Sequence, residues 1–243
     1  MANSAQSILN PTVFISSFEW REPVTTLTDF LVALAAMYAL YKFISYKGIK
    51  SKQYKIYQTY FLCFAIGMTS AAFMGHGFQA YVSPRWKAVG WVLSATGQLF
   101  FIIASINQLK MKWSLRFRRN FKTLAILKYF TFLVLIAIPA TSSFKLVQLN
   151  SSLDLIGLIL PLQWLFFRKT KLKGSLFIIG AIVYAMIPGI IYSQQWSVSR
   201  WFNYHDISHV MMSIFILMMF YGSFNLVRDE RFKELMIPNT NKL

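Results

Sequence analysis

Three histidines and two aspartates in this 243-residue chain have the residue types of a metal site. His205, Asp206 and His209 lie in the run His-Asp-Ile-Ser-His, which spaces the two imidazoles four residues apart. At roughly 100° per residue, the three side chains share one face of a helix. His76 lies far away in the sequence, between two glycines, and Asp29 lies closer to the N-terminus. The elements that carry these residues decide whether they can meet.

Three imidazoles and a carboxylate are a ligand set for a divalent metal. Catalytic zinc takes three protein ligands, often histidines, and keeps a fourth position for water. The ion lowers the pKa of that water to about 7, and a nearby carboxylate orients the water or holds a ligating imidazole. We therefore predict a zinc site with His76, His205 and His209 as ligands and Asp206 or Asp29 as the general base. The alternative is that the histidines and Asp206 only cap a helix start.

The composition is that of a polytopic membrane protein. Hydrophobic residues make up 56% of the chain and aromatic residues 17%, with only eight Asp and Glu. Seven apolar stretches are long enough to cross about 30 Å of hydrocarbon. We predict an all-α bundle of seven transmembrane helices, one domain over residues 1–243 with tails at 1–25 and 228–243. The stretches are residues 27–43, 57–78, 88–106, 121–140, 144–167, 175–192 and 205–227.

Basic residues are concentrated on one side of the predicted bundle. The net charge is +17. Nineteen lysines and arginines lie in the loops between stretches one and two, three and four, and five and six, or after stretch seven, and five lie on the other side. The positive-inside rule then predicts an outside N-terminus and a cytoplasmic C-terminus. This distribution favours topogenic charge that contacts anionic membrane lipids over nucleic-acid binding. The nineteen are Lys42, Lys47, Lys50, Lys52, Lys55, Lys110, Lys112, Arg116, Arg118, Arg119, Lys122, Arg168, Lys169, Lys171, Lys173, Arg228, Arg231, Lys233 and Lys242.

The predicted topology brings the candidate ligands to one membrane level. Asp29 lies near the outer end of the first stretch, His76 ends the second on the same side, and His205 opens the seventh there. Ionisable groups in or at the rim of a bilayer are costly, so such a cluster predicts a function. Asp154, in the outer half of the fifth stretch, is a further candidate to join the cluster, or pairs with Asn150 four residues before it.

Other polar residues have weaker assignments. Thr69 lies about two turns before His76 on a face of small residues, so we expect its hydroxyl to serve the site, although such a face is also typical of close helix packing. Lys128, in the fourth stretch, is expected to extend its ammonium group to the interface. Glu19 and Glu22 precede the first stretch and are predicted to face solvent.

The pattern resembles a known superfamily. Seven stretches, an outside N-terminus, a histidine ending the second and a His-x-x-x-His opening the seventh are similar to the alkaline ceramidase and adiponectin-receptor superfamily of membrane metal hydrolases. The resemblance implies zinc held by His76, His205 and His209, and ceramidase-like cleavage of ceramide to sphingosine and fatty acid. Where the superfamily has a serine one turn before the second-helix histidine, this chain has Ala72, and its third stretch lacks the superfamily's acidic residue. Asp29 or Asp206 would then take the acidic role.

The sequence therefore predicts metal-assisted hydrolysis of a lipid amide or ester at the outer membrane rim, with Asp206, Asp29 and Thr69 as the catalytic candidates. Two alternatives remain: a receptor or transporter that uses the cluster to bind a ligand or proton, and a structural metal that joins helices one, two and seven. The chain shows no internal repeat of the transporter kind, and the cluster lies near the rim rather than the midplane, which favours the hydrolase.

The orientation is testable with single cysteines in a Cys63→Ala background. We expect a cysteine at Ser83 to react with a membrane-impermeant thiol reagent in intact cells, and a cysteine at Ser51 to react only after permeabilisation, because basic loops stay in the cytoplasm. If only Ser51→Cys were labelled in intact cells, the predicted orientation would be wrong.

Overall fold

Seven helices in the described part of the chain are long and apolar enough to cross a membrane, as the hydropathy pattern predicts. The computed structural model describes residues 11–48, 51–111 and 113–236, so Lys50, Lys112 and Lys242 of the basic set lie outside the described residues. A β-hairpin precedes the seven helices and a short helix, α8, follows them. The helices are α1 Pro23–Ile44, α2 Lys52–Gly77, α3 Pro84–Gln108, α4 Leu115–Ala137, α5 Phe144–Thr170, α6 Lys173–Ser193, α7 Tyr204–Arg228 and α8 Glu230–Met236.

Six of these seven helices begin before their predicted apolar stretches, and α5 begins with its stretch at Phe144. Ser51 caps α2 by accepting a hydrogen bond from the backbone N of Tyr54 at 3.3 Å, and Ser114 caps α4 through the backbone N of Phe117 at 3.2 Å. A serine at this position satisfies one of the free N–H groups of the first turn. Hydropathy detects the apolar part of a helix, so it misses a polar first turn that follows the capping residue.

Residues 12–21, part of the predicted N-terminal tail, form regular structure. Strands β1 (Thr12–Ile15) and β2 (Phe18–Arg21) form an antiparallel hairpin. The Phe18 ring stacks on Tyr81 with centroids 5.3 Å apart, and the backbone N of Glu19 donates to the Tyr81 hydroxyl at 2.6 Å. The hairpin is therefore tied to the segment that follows α2, on the side of the bundle where α1 begins.

Six of the helices form a closed ring, and α4 lies outside it. Neighbouring pairs around the ring are α1 and α2, α2 and α3, α3 and α5, α5 and α6, α6 and α7, and α7 and α1. Helix α4 packs mainly on α3, and only 17% of the residues in its most apolar 18-residue stretch are buried. Because the ring places the start of α1, the end of α2 and the start of α7 together, it positions the predicted site.

Aromatic rings fill the end of the bundle opposite the predicted site. The Phe43 ring lies 5.5 Å from Phe61 and 6.1 Å from Phe220, measured between centroids. Tyr57 and Phe101 are 5.1 Å apart. All five side chains are buried. Aromatic contacts of this kind stabilise beyond simple area burial, so this end is a packed apolar core.

Two helix crossings bring backbones into direct contact through glycine. A Cβ placed on Gly174 of α6 would lie 2.6 Å from the carbonyl oxygen of Gly222 in α7, and a Cβ on Gly222 would lie 2.8 Å from that of Gly174. In α2 and α3, a Cβ on Gly90 would lie 2.9 Å from the carbonyl oxygen of Gly67. Small residues allow such approaches between membrane helices, whose association depends on close packing.

A methyl group at the α6–α7 crossing should destabilise the bundle. We expect Gly174→Ala to lower stability by about 1–3 kcal/mol, since a filled contact forces neighbouring atoms apart. Gly180→Ala in the same helix is the matched control, because its Cβ would meet only Met218 Cε at 3.8 Å. Melting temperatures of the two variants in one detergent provide the measurement, and equal values would show that the crossing tolerates the extra volume.

Candidate metal centre

Three titratable side chains from three helices converge at the end of the bundle beside the hairpin. One donor atom each from Asp29 of α1, His76 of α2 and His209 of α7 lie within 4.8 Å of one another. His209 Nε2 lies 3.9 Å from Asp29 Oδ1, and the His76 and His209 ring centroids are 5.9 Å apart. Asp29 and His209 lie within two turns of the first residues of their helices, and His76 is the last residue but one of α2. The cluster therefore lies near one end of the helix bundle.

The end of α2 is a π-helix, and it carries His76. Residues Ala71–Gly77 have this wider turn, and the backbone N of Phe78 donates to the carbonyl of Phe73 at 2.7 Å, five residues back. Such segments are frequent at functional sites. The small-residue face predicted from an ideal α-helix therefore does not extend unchanged to the histidine.

Glu22 is the functional residue that the sequence analysis missed. It was predicted to face solvent, but it is only 8% exposed, and its Oε2 accepts a hydrogen bond from His76 Nδ1. It lies in the left-handed conformation, with φ of 45°, directly before Pro23 at the start of α1. Proline at the first helical position is typical of a helix start. From this pattern the sequence could have predicted that α1 begins at Pro23 and that the Glu22 carboxylate lies at its end.

The Glu22 contact orients His76. A carboxylate can only accept, so the proton lies on His76 Nδ1 and the Nε2 lone pair remains for a ligand. Burial raises the pKa of the Glu22 carboxyl, but the hydrogen bond from His76 and the positive charge of Lys87 hold this pKa below its usual 4.5. Glu22 is therefore an anion at neutral pH, which favours a bound cation nearby.

His209 is held in a comparable way by Thr28. The Thr28 Oγ1 atom lies 3.4 Å from His209 Nδ1, 3.3 Å from Asp206 Oδ1 and 3.2 Å from the carbonyl of Thr25. The hydroxyl has one proton to donate, and the Asp206 and Thr25 oxygens are acceptors that carry no proton of their own. In the tautomer with its proton on Nδ1, His209 donates to Thr28 and its Nε2 lone pair lies 3.9 Å from Asp29 Oδ1.

The structure places Asp206 at the helix start rather than among the converging donors. Its Oδ2 accepts from the backbone N of Asn203 at 2.7 Å, and Asn203 Oδ1 accepts from the backbone N of His205 at 2.8 Å. This is a capping box. Both carboxylate oxygens of Asp206 are engaged and the residue is fully buried, so its effect on the site passes through Thr28.

Asp29 has an unsatisfied oxygen at the centre of the cluster. Its side chain is 1% exposed, and within the described residues its Oδ1 has no hydrogen-bond donor. With the protons of both imidazoles on Nδ1, the Nε2 atoms of His76 and His209 are acceptors as well. Buried polar groups are almost always paired, and a carboxylate in an apolar region is costly without a partner. Three unpaired acceptors at one point are the arrangement that a cation satisfies.

His205 lies beside this cluster rather than within it. Its ring centroid is 6.3 Å from that of His76 and 6.5 Å from that of His209. Two aromatic rings contact it on the other side, Tyr204 at 4.3 Å and Tyr192 at 5.1 Å between centroids. All three histidines therefore meet as predicted, but the tightest set of donors contains Asp29 in place of His205.

Two further candidates have other partners. The Thr69 hydroxyl donates to the carbonyl of Ala65 at 2.7 Å, so its proton is used within α2. Asp154 accepts hydrogen bonds from Lys128 and, at 3.2 Å, from Asn150, and it does not belong to the cluster of converging donors. The expectation that Lys128 extends to the interface is wrong, since its ammonium pairs with Asp154 inside the bundle.

Removing the Glu22 charge should weaken metal binding. We expect Glu22→Gln to lower zinc affinity about 10–100-fold, the usual effect of losing a carboxylate that orients a ligating histidine. Glu19→Gln is the control, because Glu19 pairs with Arg21 in the hairpin. Zinc titration of chelator-treated protein measures both. Equal affinities would mean that Glu22 does not orient His76.

The two threonines provide a second comparison. We expect Thr28→Val to lower zinc affinity about tenfold or more, since His209 loses its Nδ1 acceptor. Thr69→Val should leave affinity within about twofold, because its hydroxyl serves only the α2 backbone. Isothermal titration calorimetry with zinc measures the affinity of both variants. A larger loss of zinc affinity in Thr69→Val than in Thr28→Val would show that the Thr69 hydroxyl serves the metal site.

Comparisons with known proteins give a family and no activity. No curated protein and no solved structure matches the chain significantly. One family profile matches residues 24–227, which include Asp29 and all three histidines but leave out the hairpin and Glu22. Since the match covers most of the chain, the protein belongs to a family of unknown function (DUF6962).

Proposed function

We propose that this chain is an integral-membrane, zinc-dependent hydrolase that cleaves an amide or ester bond of a lipid, as its ceramidase-like pattern implies. The observation that carries the proposal is the convergence of Asp29, His76 and His209, whose donor atoms lie within 4.8 Å of one another. The unsatisfied Oδ1 of Asp29 supports a cation there rather than a hydrogen-bonded core.

The residues present fit zinc in number and chemistry. Imidazole nitrogen and carboxylate oxygen are both common zinc ligands, and two histidines with one carboxylate form a known catalytic set. Glu22 and Thr28 hold the far nitrogens of the two imidazoles, which is the usual support of such ligands. Three protein ligands leave a position for water or substrate. A zinc ion held there would polarise a substrate carbonyl and lower the pKa of a water molecule.

His205 is the best-placed general base. It lies beside the three proposed ligands and is partly exposed, whereas Asp206 is buried with both oxygens engaged. One imidazole nitrogen of His205 would take a proton from the attacking water and return it to the leaving amine or alcohol. The rings of Tyr192 and Tyr204 fix the imidazole plane. Asp29 is then a ligand rather than the base.

The position of the cluster suits a lipid substrate. The side chains of His76 and His209 are 15% and 13% exposed, so water can reach them. Asp29 and His209 lie within two turns of their helix starts, a depth of at most about 11 Å at 5.4 Å per turn. Carbonyl groups of membrane lipids lie at a similar depth, between headgroups and hydrocarbon. The scissile bond and the water therefore meet at this level.

Metal content and turnover of single variants test the proposal. Purified protein should contain about one zinc per chain, and Asp29→Asn, His76→Ala and His209→Ala should each lose most of it, since a site of three ligands fails when one is removed. His205→Ala should keep the metal and lose about 10²–10⁴-fold in lipid hydrolysis, the range for a general base. Ser70→Ala is the control for folding, with both readouts unchanged.

The other outcomes distinguish the alternatives. Loss of zinc in His205→Ala would restore the three-histidine ligand set of the sequence prediction. A protein with full zinc that hydrolyses none of a panel of ceramides, acyl amides and esters would be a structural metal protein. A protein that binds no zinc would contradict the proposal and favour a receptor or transporter that uses the cluster for a ligand or proton.

A further inference from the structure

A second cluster of charged groups lies at the opposite end of the bundle. Lys52 opens α2, Lys110 follows α3, and Arg118 and Lys122 lie four residues apart in the first two turns of α4. Helix α2 is fixed to the last turns of α3 by Gln53, whose Nε2 donates to the carbonyl of Ala104 at 2.9 Å. These elements bring the four cations close enough to interact: Arg118 acts on Lys110, and Arg118 and Lys52 act on Lys122.

The charges in this cluster repel one another. Burial and the neighbouring Arg118 guanidinium lower the pKa of the Lys110 ammonium. Arg118 and Lys52 are the charges that act on Lys122. The carboxylates of Asp229 and Glu230 pair with Arg231 and Lys233. Over the described residues, no ion pair joins a carboxylate to any of the four cations.

Arg118 has an unused donor inside the cluster. Its Nε is buried and, over the described part of the chain, has no hydrogen-bond acceptor. Lys122 donates to the neutral Asn107 Oδ1 at 2.5 Å, which leaves its charge uncompensated. A buried donor without an acceptor is unusual, and a guanidinium fork matches the oxygens of a phosphate group. Both features indicate a missing anion.

Aromatic residues place this cluster at headgroup level. The Trp113 ring packs against Phe117 and Phe121, with centroids 4.7 and 5.6 Å apart. Tryptophan is typical of the membrane–water interface, and these three rings flank Arg118 in the sequence. An anion bound by the four cations would therefore lie where lipid headgroups lie.

We propose that Lys52, Lys110, Arg118 and Lys122 bind a phosphomonoester group carried by a membrane lipid headgroup. The charge distribution predicts that this is the cytoplasmic leaflet. Clusters of four or more basic residues next to a membrane helix are typical of binding to multiply charged lipids. The site is at the other end of α2 from His76, so it does not depend on the proposed hydrolase.

Binding of a labelled short-chain phosphatidylinositol bisphosphate to the full-length protein in detergent tests the site. We expect Arg118→Gln to weaken binding about tenfold, the effect of losing one charge-assisted contact. Arg116→Gln removes the same charge from the same helix at an exposed position, and it should change affinity less than about twofold. Arg118→Lys keeps the positive charge but loses the planar guanidinium, so we expect its lipid affinity to lie between those of Arg118→Gln and Arg116→Gln.

Three results would overturn the proposal. Equal losses in Arg116→Gln and Arg118→Gln would show general attraction to a basic surface. Phosphatidylserine binding as tightly as the bisphosphate lipid would remove the preference for a phosphomonoester. Free inositol bisphosphate or inorganic phosphate binding as tightly as the lipid would assign the site to a soluble anion. Melting temperatures of the three variants within a few degrees of the unmodified protein establish that each is folded.

Discussion

The buried carboxylate of Asp29 is the constraint around which the hairpin end of this bundle is arranged. A carboxylate that is 1% exposed, in a helix long and apolar enough to cross a membrane, is costly unless an opposite charge or several donors compensate it. The surrounding groups are two imidazoles, each with one ring nitrogen in contact with Glu22 or Thr28 and with a donor atom within 4.8 Å of an Asp29 carboxylate oxygen. The protein's own hydrogen bonds therefore increase the need for a cation at this point.

Asp154 shows how the same fold satisfies a buried carboxylate without a metal. It is 2% exposed, comparable to Asp29, but Lys128 and Asn150 donate to its two oxygens. This pair joins α5 to α4, the helix that lies outside the ring. A buried pair of opposite charges with an extra hydrogen bond is self-sufficient. The contrast between the two aspartates supports a ligand role for Asp29 and a structural role for Asp154.

The sequence predicts the helices and the meeting of the histidines because both follow from local patterns. Apolar length gives the seven spans, and the alternation of basic loops places Asp29, His76 and His209 on one side. The detailed partners depend on tertiary contacts without periodicity. Glu22 reaches His76 where α1 packs on the end of α2 and the hairpin packs on the residues that follow. The capping box of Asp206 and its contact with Thr28 need the observed register of α7 against α1.

The two ends of α7 explain how the site keeps its geometry. At one end the backbone of Gly222 touches that of Gly174, which fixes the distance and rotation of α7 against α6. At the other end Asn203 and Asp206 close the first turn. A helix held at both ends cannot rotate its His209 ring away from Asp29, and ligands that are already aligned lose little entropy when they bind. The packed aromatic end and the polar rim are thus parts of one arrangement, in which rigidity at a distance keeps two imidazoles and a carboxylate together.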